Sequence, residues 1–143
     1  MSLLMNKHFI FLVLLFNFSL SFSSDIFFIK EIKQVEKNQN NWAKSWSNTD
    51  LPKYIDFYVT DYAPKGLSHN QWLKQRKTRL NKSNNIRVKI NIESLVMDGG
   101  AEIATTIIVQ DYQSNTYKSK VKKQFIWHKQ EGVWKIFEEK QLP

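Results

Sequence analysis

Ile86-Arg87-Val88-Lys89-Ile90-Asn91-Ile92-Glu93 alternates apolar and polar residues without a break. Side chains that alternate between two faces at period two describe a strand with one face buried and the other in water. The pattern runs on to Met97, where Asp98-Gly99-Gly100 supplies the chemistry of a hairpin turn. Three further segments of strand character follow: Ala101 to Ser114, Tyr117 to Lys129 and, after Glu131-Gly132, Val133 to Glu138. Upstream the period is different. Ile29, Ile32, Val35, Gln39, Trp42 and Trp46 recur at spacings of three and four, which predicts an amphipathic helix from about Ile26 to Ser47. Asp50 is placed to cap a short second helix carrying Pro52, Tyr54, Ile55, Phe57 and Tyr58. Beyond the turn at Pro64-Lys65-Gly66, Ser68 and Gln71 form a capping box for a third helix with Trp72, Leu73, Arg76, Arg79 and Leu80. Helices first and strands afterwards, joined by hairpin-length connections, predict an α+β fold: three N-terminal helices packed on one face of an antiparallel four-stranded sheet.

A chain of 143 residues has room for one domain beside a targeting segment. Lys7 and His8 precede the apolar run Phe9 to Phe16, and Ser21-Phe22-Ser23 offers small residues at the positions a signal peptidase reads. Asn17, Ser19 and Ser21 interrupt that run before it reaches the length of a membrane span. The expectation is a cleavable leader over residues 1–23 and one domain over 24–143, periplasmic or secreted, with no stable membrane anchor once the leader is removed. The chain has no cysteine, which excludes disulfides, thiolate catalysis and thiolate metal sites. Lys and Arg outnumber Asp and Glu by 21 to 13, a surplus that attracts polyanions. Export argues against nucleic acid as the partner. Lys118, Lys120, Lys122 and Lys123 are the one dense basic group, and three of them share a strand face that reads first as solvated surface.

No GxSxG, HExxH, P-loop or GxGxxG motif is present. His69 and His128 lie apart and do not suggest a metal site, and no cofactor is implied. Polar and aromatic residues that share a face are more informative. Ala104, Thr106, Ile108, Gln110, Tyr112 and Ser114 line one side of the second strand and turn polar toward its end. Lys123, Phe125 and Trp127 on the next strand, and Trp134, Ile136 and Glu138 on the last, extend that face. From the helices, Tyr58 and Tyr62 are four apart, as are Trp72 and Arg76. Arg76 calls for an anionic partner, with Glu138 the candidate structural carboxylate. The competing reading is that these aromatics simply fill the core.

Taken together, Trp42-x3-Trp46-Ser47-x2-Asp50-x3-Tyr54-x2-Phe57-Tyr58-x2-Asp61-Tyr62, then Trp72-x3-Arg76-x2-Arg79, Gln110-x-Tyr112-x-Ser114-x2-Tyr117 and Gly132-x-Trp134-x-Ile136, form a pattern over most of the chain. It resembles the nuclear transport factor 2-like domain at the C-terminus of bacterial cell-shape L,D-transpeptidase and carboxypeptidase proteins. The resemblance implies a cone-shaped, pocketed accessory module for ligand binding, substrate recruitment or dimerisation. In such relatives catalysis belongs to a separate domain with a His and Cys signature, which this chain lacks. Carried over, the pocket candidates are Tyr58, Tyr62, Trp72, Arg76, Gln110, Tyr112, Lys123 and Glu138.

Three functions stay open at this stage. The first is a non-catalytic module that binds an anionic small molecule or cell-wall fragment, with Arg76 and Lys123 holding a carboxylate. The second is a small enzyme of the ketosteroid-isomerase or dehydratase sort, for which Asp61 beside Tyr62 supplies the residue types. The third is a structural homodimer formed through the sheet. A carboxylate inside the cavity with a raised pKa would mark the enzyme.

Overall fold

The structure, a computed structural model, describes the backbone of residues 7–82 and 84–143 and the side chains of residues 23–82 and 84–143. Three helices, α1 (Lys7–Ser47), α2 (Leu51–Asp56) and α3 (His69–Lys82), precede four strands, β1 (Arg87–Met97), β2 (Ile103–Gln113), β3 (Lys118–Gln130) and β4 (Val133–Gln141). The strands form one antiparallel meander in the order β1-β2-β3-β4. The α+β architecture predicted from the change of period is the one observed.

The chain divides into two compact units, residues 1–31 and 32–143. In the first, Ile26, Phe27 and Ile29 are exposed, and the rings of Phe27 and Phe28 meet edge-on at 6.0 Å. Helix α1 begins at Lys7 rather than near Ile26, so the apolar run counted as leader is itself helical. The expected leader, residues 1–23, rests on side chains that lie outside the described residues except for Ser23. In the second unit the apolar stripe of α1 is buried only from Val35 onward, through Gln39, Trp42 and Trp46, and Ile32 stays in water.

Local chemistry explains the boundaries. Ser47 ends α1 and ties it to the sheet: its hydroxyl accepts from the Val88 N–H at 2.8 Å and sits 3.3 Å from the Val88 carbonyl. Asp50 caps α2 by accepting from the Lys53 N–H at 3.2 Å. Ser68 and Gln71 satisfy each other's backbone donors at the start of α3, at 3.2 and 2.8 Å. The Asp98 carboxylate accepts from the Glu102 and Ile103 N–H groups, which delays β2 to Ile103 and draws the Asp98 pKa below the usual carboxylate range. Glu131 and Gly132 both take positive φ in the β3–β4 turn, and Gly132 adopts +78° without steric cost.

Helix α2 stops at Asp56, two residues earlier than expected. The Ile136 N–H donates to the Phe57 carbonyl at 2.7 Å and the Val59 N–H donates to the Ile136 carbonyl at 3.0 Å, forming a parallel bridge between Tyr58 and Ile136. Those backbone groups therefore serve the edge of β4 instead of another helical turn. Tyr58 and Tyr62 consequently lie on the connection after α2, not on one helix face.

Replacing Ser47 with Ala leaves the Val88 N–H without its side-chain acceptor at the joint between α1 and β1. The expected cost is about 1–2 kcal/mol in urea unfolding at unchanged m-value.

Candidate functional site

The inner faces of the helices and sheet enclose a continuous chain of rings. Trp42 lies 4.9 Å from Phe125 and 5.5 Å from Trp46, and Trp46 lies 5.7 Å from Tyr54. Tyr54 contacts Tyr58 at 5.4 Å, and Tyr58, Tyr62 and Trp72 pack mutually at 4.7–4.9 Å. All except Trp46 and Tyr62 are at most 3% exposed, so every polar atom they carry must find a partner indoors.

The centre of this polar lining is Glu139. Its Oε2 accepts from the Tyr58 hydroxyl at 2.6 Å and its Oε1 from Lys123 Nζ at 2.7 Å, with both charged side chains almost withdrawn from water. The rest of the network is directional. Trp42 Nε1, which can only donate, gives to the Tyr58 hydroxyl at 3.0 Å. Because the single Tyr58 proton goes to Glu139, Tyr54 is the donor across the 2.9 Å Tyr54–Tyr58 contact. Tyr58 thus accepts twice and donates once, which fills its capacity.

The sequence reading placed Glu138 here, and the structure corrects it to Glu139. A register shift interrupts the β3–β4 ladder: Trp127 pairs with Ile136, but Ile126 pairs with Glu138 and Phe125 with Glu139. The extra residue reverses the alternation after Ile136, so Glu139 joins Trp134 and Ile136 on the inner face. Glu138 is half exposed, 3.9 Å from Lys140.

Burial by itself would raise the Glu139 pKa, but Lys123, Arg76 and the hydrogen bonds from Lys123 and Tyr58 outweigh it and hold the group below its ordinary value. Burial pushes the Tyr54 and Tyr58 hydroxyls well up and, together with the Glu139 charge, brings Tyr62 up to about 12. The phenols stay neutral donors. Burial disfavours the Arg76 charge, yet its pKa is raised, and the Glu139 carboxylate is the charged neighbour that favours the guanidinium while the phenols are neutral.

Arg76 and Trp72, one turn apart on α3, are the members left unsatisfied. Arg76 Nε and Trp72 Nε1 are enclosed and have no hydrogen-bond partner, while part of the Arg76 side chain still reaches solvent. The cluster therefore holds two cations, Arg76 and Lys123, against one carboxylate, each oxygen of which already accepts one hydrogen bond, from Lys123 and from Tyr58. Lys123 also lies 5.4 Å and 5.8 Å from the Trp46 and Trp42 rings. It is committed to Glu139 instead of being free for a ligand.

The remaining candidates fall elsewhere. Gln110 is buried with its Oε1 unpartnered. Tyr112 packs on Trp46 at 5.5 Å and on Tyr117 at 6.0 Å and lines a groove at the end of the sheet. Asp61 is exposed. Tyr54, Trp42 and Glu139 were missed. Tyr54 stands four residues before Tyr58, a spacing that could have found it, whereas nothing in the sequence marks the shift that turns Glu139 inward. A second buried relay runs from Trp127 Nε1 to Thr106 Oγ1 at 3.2 Å and from Thr106 to Gln39 Oε1 at 2.7 Å. Among the described residues no group of three or more His, Asp or Glu is placed to hold a metal ion.

Three helices folded against a four-stranded antiparallel meander, with polar aromatics between them, define the nuclear transport factor 2-like (NTF2-like) class. Residues 34–140 match the model of the Cds6 C-terminal NTF2-like domain, and the chain belongs to that family. No curated protein matches the chain. Among solved structures it is similar to Bd1075 of Bdellovibrio bacteriovorus, at TM-score 0.70 and 21% identity over 78% of this chain and 40% of that one. It is also similar to the helical cell shape determining protein Pgp2 of Campylobacter jejuni, at TM-score 0.63 and 17% identity over 77% and 40% of the two chains. A proposed dehydratase of the NTF2-like family from Streptomyces avermitilis aligns at TM-score 0.66 and 9% identity, over 78% of this chain and 95% of that one. The chain thus spans about 40% of the length of Bd1075 and of Pgp2.

A carboxylate whose folded pKa is depressed contributes stability above its unfolded pKa, and that contribution is lost as pH falls through the folded value. The melting temperature should therefore drop on acidification from about pH 4.5 downward. Glu139→Gln should be less stable at neutral pH, by about 3 kcal/mol, and so melt lower, and the gap to the parent should narrow as pH falls. Glu138→Gln should leave the profile unchanged; thermal unfolding followed by circular dichroism across pH checks all three.

Proposed function

We infer that this chain is an exported, non-catalytic binding module that captures an anionic group, a carboxylate of a cell-wall peptide fragment, at Arg76. The observation that carries the reading is the imbalance of the inner cluster, where two cations face a single carboxylate whose two oxygens are already hydrogen-bonded. What remains unmet is donor capacity on Arg76 and Trp72, which matches an acceptor-only ligand. Arg76 reaches solvent with part of its side chain, so an anion can approach it from outside while the Tyr62–Trp72 ring pair stays buried. The leader-like N-terminus supports export, and the similarity to Pgp2, described as a helical cell shape determining protein, supports a cell-wall context.

A dehydratase-like reading has the fold on its side but lacks a base. Proton abstraction needs a carboxylate near the substrate with a raised pKa, whereas the Glu139 pKa is lowered and both its oxygens are occupied.

Tryptophan fluorescence of the purified chain, titrated with muropeptides bearing free carboxylates, tests the proposal. Saturable quenching is expected, weakened about tenfold or more in Arg76→Ala, as for loss of a charge-assisted hydrogen bond. Unchanged affinity in that variant, or no response in the parent, contradicts it.

A further inference from the structure

We propose a second binding site, separate from the inner cluster: the groove at the β1–β3 end of the sheet binds an acidic polysaccharide. The groove, about 510 Å³, is bordered by Arg87 and Lys89 of β1 and by Lys118 and Lys120 of β3, with Asp111 and Gln113 of β2 between them. The ladder fixes this grouping, since Arg87, Gln113 and Lys118 pair in one row and Lys89, Asp111 and Lys120 in the next. Residues two apart on a strand are about 7 Å apart, and strands lie about 4.8 Å apart, so the Cα atoms of the four basic residues mark the corners of a rectangle of about 7 by 10 Å. Sequence order had shown only Lys118 and Lys120 of this set; pairing with β1 supplies the other half.

How the sheet's other cations are paired makes the groove stand out. Lys122 has Glu93 at 2.7 Å, Lys123 has Glu139 at 2.7 Å, Lys135 has Asp56 at 3.0 Å and Lys140 has Glu138 at 3.9 Å. In the groove, only Lys120 has a carboxylate within 4 Å, Asp111 at 3.9 Å, while Arg87, Lys89 and Lys118 have none among the described residues. Uncompensated positive charge on the sheet is therefore concentrated at one end. Like charges held this close are mutually repulsive, a cost that an anionic ligand removes.

One feature selects a sugar polymer over other polyanions. Asp111 and Gln113 place hydrogen-bond acceptors in the middle of the cation frame, which suits hydroxyl donors between carboxylates and opposes an unbroken run of phosphates.

The test is binding of fluorescently labelled polygalacturonate oligomers to the full-length chain, at low and high salt, beside single-stranded DNA and polyphosphate of equal charge. The expected result is saturable, salt-sensitive binding of the polyuronate, tighter than either phosphate polymer. It should fall about tenfold or more in Lys89→Glu/Lys118→Glu and be retained in Lys140→Ala, with all variants melting cooperatively. Absence of binding, indifference to the double charge reversal, or equal or tighter binding of DNA or polyphosphate overturns the proposal.

Discussion

A carboxylate taken out of water has to be met by donors, and Glu139 is the point at which every layer of this fold meets that demand. Its partners come from different elements: Tyr58 from the connection after α2, Lys123 from β3 and, one bond further out, Trp42 from α1 and Tyr54 from α2. Removing any one of these leaves a buried polar group unanswered, which costs more than the bond itself is worth. The parallel bridge between Tyr58 and Ile136 holds the Tyr58 ring beside β4, so backbone pairing and the side-chain network support each other.

The consequence for function is an interior that is polar by construction. Here tryptophans and tyrosines bring donors inside, and the cluster's carboxylate accepts from one of them, Tyr58, and from Lys123. Arg76 is left as a cation whose favourable neighbours are neutral phenols and a carboxylate already committed elsewhere.

Much of the architecture was legible in the sequence because it depends on periodicity, which is local. The change from spacings of three and four to strict alternation at Ile86 announced the order of helices and strands, and Asp50, Ser68 and Asp98 marked boundaries through side chains that act within five residues. The site was less legible because it depends on parity. One extra residue in β4 reverses which of Glu138 and Glu139 faces inward, and no composition rule marks where a ladder slips. Tyr58 and Tyr62 met as expected but for another reason, since β4 captured the backbone that would have continued α2. Lys123 pointed inward as its alternation with Phe125 and Trp127 required, yet its charge is spent on a carboxylate that the alternation alone had turned outward.

The most direct test of the central claim is a double-mutant cycle between Tyr58→Phe and Glu139→Gln, read by urea unfolding. If Glu139 organises the interior, the two changes should be non-additive by about 1–3 kcal/mol, while the same cycle with Glu138→Gln should be additive. Additivity between Tyr58 and Glu139, or equal coupling at Glu138, would contradict the assignment of the inward carboxylate.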